Sequence, residues 1–117
     1  MKIFYSLILF LFISILPSIA VDDVYHKGNL TSGKIFAYSD GLIQLRAGGM
    51  DYSFVRAVKD DFYGDVITYR ERPIRGGVVS KNCRIIYIDR FYVTFKTESS
   101  TAEIPRYRVS SIVINAN

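Results

Sequence analysis

In the stretch FYVTFKT, residues 91–97, Phe91, Val93 and Phe95 alternate with Tyr92, Thr94 and Lys96. A period of two predicts a half-buried strand with Phe91, Val93 and Phe95 turned inward. GLIQLR repeats the arrangement, with Ile43 and Leu45 inward and Gln44 and Arg46 outward. GKIFAYS, MDYSFVR, DVITYR, RIIYID and SIVI add further runs of β-branched and aromatic residues, and Ser39-Asp40-Gly41, Gly48-Gly49, Gly76-Gly77 and Ser99-Ser100 punctuate them as turns. Only VRAVKDDF has the composition for a helical turn or two. The pattern is that of an all-β chain.

The same pattern recurs. A shift of fifty residues lays Ile35 on Ile85, Phe36 on Ile86, Tyr38 on Ile88, Ile43 on Val93, Leu45 on Phe95, Phe54 on Ile104 and Arg56 on Arg106 without a gap. Beyond Arg56 the first unit carries four extra residues, so Val66 and Ile67 match Ile112 and Val113 at a shift of forty-six. The expected units are residues 21–72 and 73–117, with YRERPIRGG (69–77) crossing between them. Each runs through a strand, a turn, a strand of the form x-I-x-L, a hairpin, a further strand, a tight turn and a last strand.

That order resembles the five-stranded Sm-like and SH3-like barrels, and TAEIPRYRVSSIVI resembles their penultimate strand, short helical turn and closing strand. The resemblance implies two small barrel units packed as one compact domain. It does not extend to RNA binding: Asp40-Gly41 lacks the following asparagine of the first Sm motif, and neither unit ends in the Arg-Gly of the second.

The amino terminus points outside the cytoplasm. Lys2, an apolar run from Ile3 to Leu16, and Pro17-Ser18-Ile19-Ala20 form the three parts of a secretory signal over residues 1–20. The run is shorter than the roughly 20 residues a spanning helix needs. A secreted or periplasmic protein is expected, with no membrane span after cleavage and no lipobox cysteine for a lipid anchor. In that setting Asn29-Leu30-Thr31 is a formal glycosylation sequon, relevant only in a eukaryotic secretory pathway.

Charge is unevenly distributed. Residues 21–72 hold seven basic and eight acidic groups, whereas 73–117 hold seven basic and three acidic. Such a balance suits a protein, a peptide or an anionic envelope polymer as partner and is too weak to demand nucleic acid. A single cysteine, Cys83, rules out an intramolecular disulfide, and its neighbours Arg84, Ile85 and Ile86 suggest a buried small hydrophobe at a strand end.

Catalytic patterns are sparse. His26 is the only histidine, no Cys–His zinc cluster, nucleophile elbow or phosphate loop occurs, and no cofactor is implied. Asp60, Asp61 and Asp65 in KDDFYGD lack the alternate spacing and terminal glutamate of an EF-hand. The candidate binding residues are Tyr92, Arg106, Tyr107 and Arg108. Pro105 ends the preceding strand, after which Tyr107 and Val109 are expected to turn inward while Arg106 and Arg108 face water. In the alternative, Tyr107 stands outside between two guanidinium groups as a surface for a glycan, a peptide carboxylate or a phosphate. Two functional classes follow: an exported, non-catalytic binding or assembly module, or a small secreted enzyme or inhibitor with Arg56, Arg106 and the acids of residues 59–65 converging between the units.

Cleavage after Ala20 predicts a mature chain beginning at Val21 and found outside the cytoplasm, which intact-mass measurement of the native protein checks. Retention of Met1 in a membrane fraction is the opposing result.

Overall fold

Alternating residues become strands along most of the chain. A computed structural model describes residues 21–59, 62–72 and 76–117. The strands are β1 (Asp22–His26), β2 (Asn29–Ser39), β3 (Leu42–Ala47), β4 (Met50–Val55), β5 (Asp65–Arg70), β6 (Val78–Ile88), β7 (Tyr92–Lys96), β8 (Thr101–Pro105) and β9 (Val109–Asn115), with one 3-10 turn, η1, at Arg106–Arg108. The expected signal over residues 1–20 lies outside the described residues. Residues 56–59 of VRAVKDDF are not helical, and η1 is the only helical piece among the described residues.

All nine strands join one sheet in the order β4-β3-β2-β1-β9-β5-β6-β7-β8, with an added bridge from β2 to β6 at Tyr38 and Ile88. The array reads alike in both directions from β9. One half is β1 to β4 and the other β5 to β8.

The equivalence extends to single residues. On β2 and β3, Ile35 faces Leu45, a bulge follows, and Ala37 faces Gln44 and Tyr38 faces Ile43. On β6 and β7, Ile85 faces Phe95, a bulge follows, and Tyr87 faces Thr94 and Ile88 faces Val93. Ile43–Phe54 and Leu45–Tyr52 on β3 and β4 correspond in the same way to Val93–Ile104 and Phe95–Ala102 on β7 and β8. One backbone bond closes each half, from Arg56 N to Gly41 O at 2.9 Å and from Arg106 N to Phe91 O at 2.7 Å. Register, bulge and closing bond thus all repeat at a shift of fifty. Bulges are where long strands bend, and here each 11-residue strand passes from its partner β1 or β5 to its partner β3 or β7.

β5 stands in the second half where β1 stands in the first. Asp22 pairs with Gly33 on β2 and Asp65 with Cys83 on β6, again fifty residues apart on the long strands. The anticipated seam at 72/73 falls inside the β5–β6 hairpin, of which residues 73–75 lie outside the described residues. Val66 and Ile67, aligned by sequence with Ile112 and Val113, meet those residues across the β5–β9 ladder. β9 is antiparallel to β5 and parallel to β1, so a single strand serves both halves.

The positions matched by the repeat form one shared core: Ile35 with Ile85, Tyr38 with Ile88, Ile43 with Val93, and Leu45 with Phe95 are all buried. Phe91 is an exception to the alternation. It lies outside β7 and is 60% exposed, because Asp89 accepts the amides of Phe91 and Tyr92 and turns the chain before the strand begins. The matching turn in the first half uses Asp40 and Gly41, both with positive φ, as a tight two-residue hairpin requires. A Cβ at Gly41 would lie 2.5 Å from Arg56 O, and its φ is positive, so this turn, unlike the one that carries Phe91, admits only glycine there.

Residues 73–117 expressed alone lack β5 and β1, the two neighbours of β9. The isolated segment is expected to be unfolded or aggregated while the mature chain unfolds in one cooperative transition, as circular dichroism melts will show. A sharp independent transition in the segment would refute the shared core.

Candidate functional site

One arginine follows the fourth strand of each half, Arg56 after β4 and Arg106 after β8, and both cross to the other half. Arg56 meets Asp65 through two parallel bonds, Nη1 to Oδ1 at 2.7 Å and Nη2 to Oδ2 at 2.8 Å. Its remaining donors reach Tyr38 Oη at 2.9 Å, Asn115 O at 3.2 Å and Ile85 O at 3.0 Å, so every N–H of the guanidinium is used. Asp65 also accepts Ile85 N and Asn115 N, which fills both carboxylate oxygens. Reciprocally, Arg106 donates from Nη2 to Asp22 Oδ2 at 2.8 Å, and Asp22 accepts Ile35 N and Ile112 N. Ile35 and Ile85 are the residues just before the two bulges. Each carboxylate therefore holds the bend of its own long strand, ties β9 to its half, and receives the arginine of the opposite half.

The two pairs are not equal. Tyr38 supplies a hydroxyl to Arg56, whereas its counterpart near Arg106 is Ile88, which has none to give. Arg106 makes a single bond to its carboxylate, and burial pushes the Asp22 carboxyl above the usual range more strongly than the charge of Arg106 and the two amide bonds hold it down. Arg56 is held above the ordinary arginine value: burial opposes its charge, but the bond and the charge of Asp65 outweigh that penalty. Cys83, fully buried beside this pair, has its thiol pushed up to about 12, first by burial and then by Asp65. It is a packed, protonated thiol, as its sequence surroundings suggest.

These contacts revise the reading of the RYR turn. Arg106 is not solvated, since its side chain is 14% exposed and bonded to Asp22. Arg108 donates from Nε and Nη2 to Arg70 O, at 3.0 and 2.8 Å, and from Nη2 to Glu71 O. Tyr107 does not plug the core: it is 74% exposed. The cause is the 3-10 turn, whose three residues per turn carry Tyr107 to the side opposite the sheet while the arginines on either side reach back to backbone and carboxylate. Tyr92, opposite Pro105 in the β7–β8 ladder, is exposed as well.

The two ends built from equivalent turns carry different side chains. In the second half Phe91 and Tyr92 stand at the end, Tyr107 follows on η1 and Tyr87 lies on the neighbouring strand, all exposed. At the equivalent places in the first half stand Gly41, Leu42, Ala57 and Ala37. Small residues there leave a cavity of about 190 Å³ between Tyr38, Asp40, Gly41, Arg56, Lys59 and Arg84. Arg56 and Asp65 do converge beside it, as the enzyme alternative anticipates, but they saturate each other, and Arg106 lies instead with Asp22. Asp60 and Asp61 of the acidic loop lie outside the described residues. Among the described residues, no group of three or more histidine, cysteine or acidic side chains is arranged to hold a metal, and no helix is long and apolar enough to cross a membrane. Set against protein-family models, curated proteins and solved structures, the chain gives no match.

The sequence pattern marked Tyr92 and Tyr107 and brought Arg56 toward the acids of residues 59–65, but it assigned Phe91 to the core and overlooked Asp22 as the partner of Arg106, and with it the linked set of two pairs. The signal for that set is the match of Arg56 with Arg106 inside the repeat.

Tyr107→Ala is expected to change stability by no more than about 0.5 kcal/mol, because the ring is exposed. Arg106→Ala should cost about 3 kcal/mol by leaving a buried carboxylate unpaired, and Arg108→Ala about 1 kcal/mol. Denaturant titration of the three variants checks the ranking.

Because its folded-state value is raised, Asp22 contributes stability that is complete below the ordinary 3.8 and declines as pH rises through the raised value. The cost of Asp22→Asn, measured by denaturant titration from acid to neutral pH, is therefore expected to be greatest in acid and to shrink as the pH rises. A cost that grows with pH would show that the ion pair outweighs burial.

Proposed function

We propose that this chain is an exported, non-catalytic binding module that holds a peptide, protein or polysaccharide outside the cytoplasm through the aromatic end of its second half. The carrying observation is the exposure of Phe91, Tyr92 and Tyr107 at one end, where the equivalent positions of the other bear glycine, leucine and alanine. Exposed aromatic rings contribute nothing to the core, and rings of this kind are enriched where one surface meets another. The frame beneath them is tied by the Arg106–Asp22 pair and by the closing bond to Phe91, which hold the backbone of the two segments that carry Phe91 and Tyr107.

Export is part of the proposal and rests on the signal-like residues 1–20. So is the reading of the halves as duplicated units akin to Sm-like and SH3-like barrels. It draws support from the common register, the common bulge and the order of strands around η1.

The test is co-purification from the native envelope with wild-type protein and with a Phe91→Ser, Tyr92→Ser, Tyr107→Ser variant. Wild type is expected to retain a partner that the variant loses, while both melt at the same temperature. Equal retention by the two proteins would remove the aromatic end from the function.

A further inference from the structure

We infer that β4 is an interface strand that pairs with β4 of a second copy of this chain, antiparallel about a two-fold axis at Ser53. The sheet ends in β4 on one side and β8 on the other, and among the described residues β4 pairs with β3 alone. The bond from Arg56 N to Gly41 O shows which backbone groups are already used. Donors and acceptors alternate sides along a strand, so Phe54, Tyr52 and Met50 also address β3, while the N–H and C=O groups of Asp51, Ser53 and Val55 point away from the sheet. All three residues are exposed. The matching bond from Arg106 N to Phe91 O gives Thr101, Glu103 and Pro105 the same outward positions on β8. That edge is blunted: Pro105 has no N–H for a further strand, and Glu103 sets a charge beside it. At the equivalent places β4 has Val55 and Ser53. It keeps an unbroken register with β3 over all six residues, without a bulge, and its one charge, Asp51, is paired with Arg46 at 2.8 Å. The devices that close the edge of the second half are missing from the first.

The second copy is the occupant because the edge complements itself. With Ser53 opposite Ser53 of the other copy, Asp51 of each copy meets Val55 of the other, and every outward donor and acceptor of the three residues finds a partner. A slide of two residues either way leaves one of those pairings unmade. The same register sets Tyr52 opposite Phe54 of the other copy, twice, as non-hydrogen-bonded pairs in which side chains approach most closely. It also keeps Asp51 away from its own copy. Met50 and Tyr52 share the face of Phe54, and all three belong to the face on which Ile43 and Leu45 are buried, yet Met50 and Tyr52 are exposed. Pairing would carry that face across the axis and cover Tyr52. Such a contact is isologous and closes as a dimer, with β8 and the aromatic end left outside it.

Sedimentation equilibrium of the mature chain over a concentration series tests the inference, and the mass is expected to rise to twice that of one chain. Ser53→Glu with Val55→Pro gives β4 the residues that β8 already carries and should abolish the dimer. Ser53→Glu alone leaves the backbone untouched, sets two like charges across the axis, and should weaken the dimer at least about tenfold while the diluted chain melts as wild type does. Ser53→Cys supplies the geometry. Opposed residues of a hydrogen-bonded pair lie about 5.5 Å apart at Cα, within the roughly 4.4–6.8 Å a disulfide spans, so mild oxidation should cross-link this variant and not Glu103→Cys. Cys83 is fully buried and stays out of the reaction. A chain that is monomeric at every concentration overturns the inference, as does a dimer indifferent to Ser53→Glu or one that Ser53→Cys fails to cross-link. Retention of an envelope protein by the monomer, lost on Ser53→Glu, would give the edge to a foreign strand and overturn it equally. The Phe91→Ser, Tyr92→Ser, Tyr107→Ser variant should dimerise as wild type does, so this inference and the aromatic-end reading stand or fall separately.

Discussion

Two carboxylates buried at the centre of the sheet set the terms for everything around them. An unpaired aspartate cannot stay charged in such surroundings, and removing a carboxylate from water costs several kcal/mol even after relaxation. Asp22 and Asp65 are accommodated because each accepts amides from its own long strand and from β9, and an arginine from the other half. The register of β9 against β1 and β5 is thereby coupled to the bulges on β2 and β6. A slip of one residue would leave two buried charges without their donors.

This arrangement explains why the fold tolerates unlike ends. The bonds that hold the end turns run through backbone atoms, from Arg56 N to Gly41 O and from Arg106 N to Phe91 O, and say nothing of the side chains displayed there. What differs is how each chain reverses direction: a positive-φ pair at Asp40-Gly41, an aspartate-capped turn at Asp89. The first leaves room beside Arg56 and the second raises Phe91 into solvent. Geometry common to both halves and chemistry peculiar to each can therefore change independently.

The strands and much of the core were legible because Ile43, Leu45, Val93 and Phe95 obey a period of two wherever one face is covered. The repeat was legible for the same reason, since buried positions are the ones on which matched registers insist. Its seam was not, because β5 resembles a closing strand in composition and only its partner across the sheet identifies it with β1. Tyr107 was misjudged on a related ground. Apolar alternation assumes a strand, and a 3-10 turn of three residues reverses which neighbours face in. The arginines on either side of it looked like solvent groups because their acceptors, Asp22 and the carbonyls of Arg70 and Glu71, are distant in the chain.

Each half lends an arginine to the other and receives one in return, which is the contact pattern of a symmetric dimer written into one polypeptide. Two identical protomers joined this way would be bound to display the same surface at both ends, since any substitution would appear twice. Covalent linkage lifts that obligation. One end is then free to hollow out beside its arginine while the other accumulates rings, and the shared interior enforces the pairing without policing what the ends become.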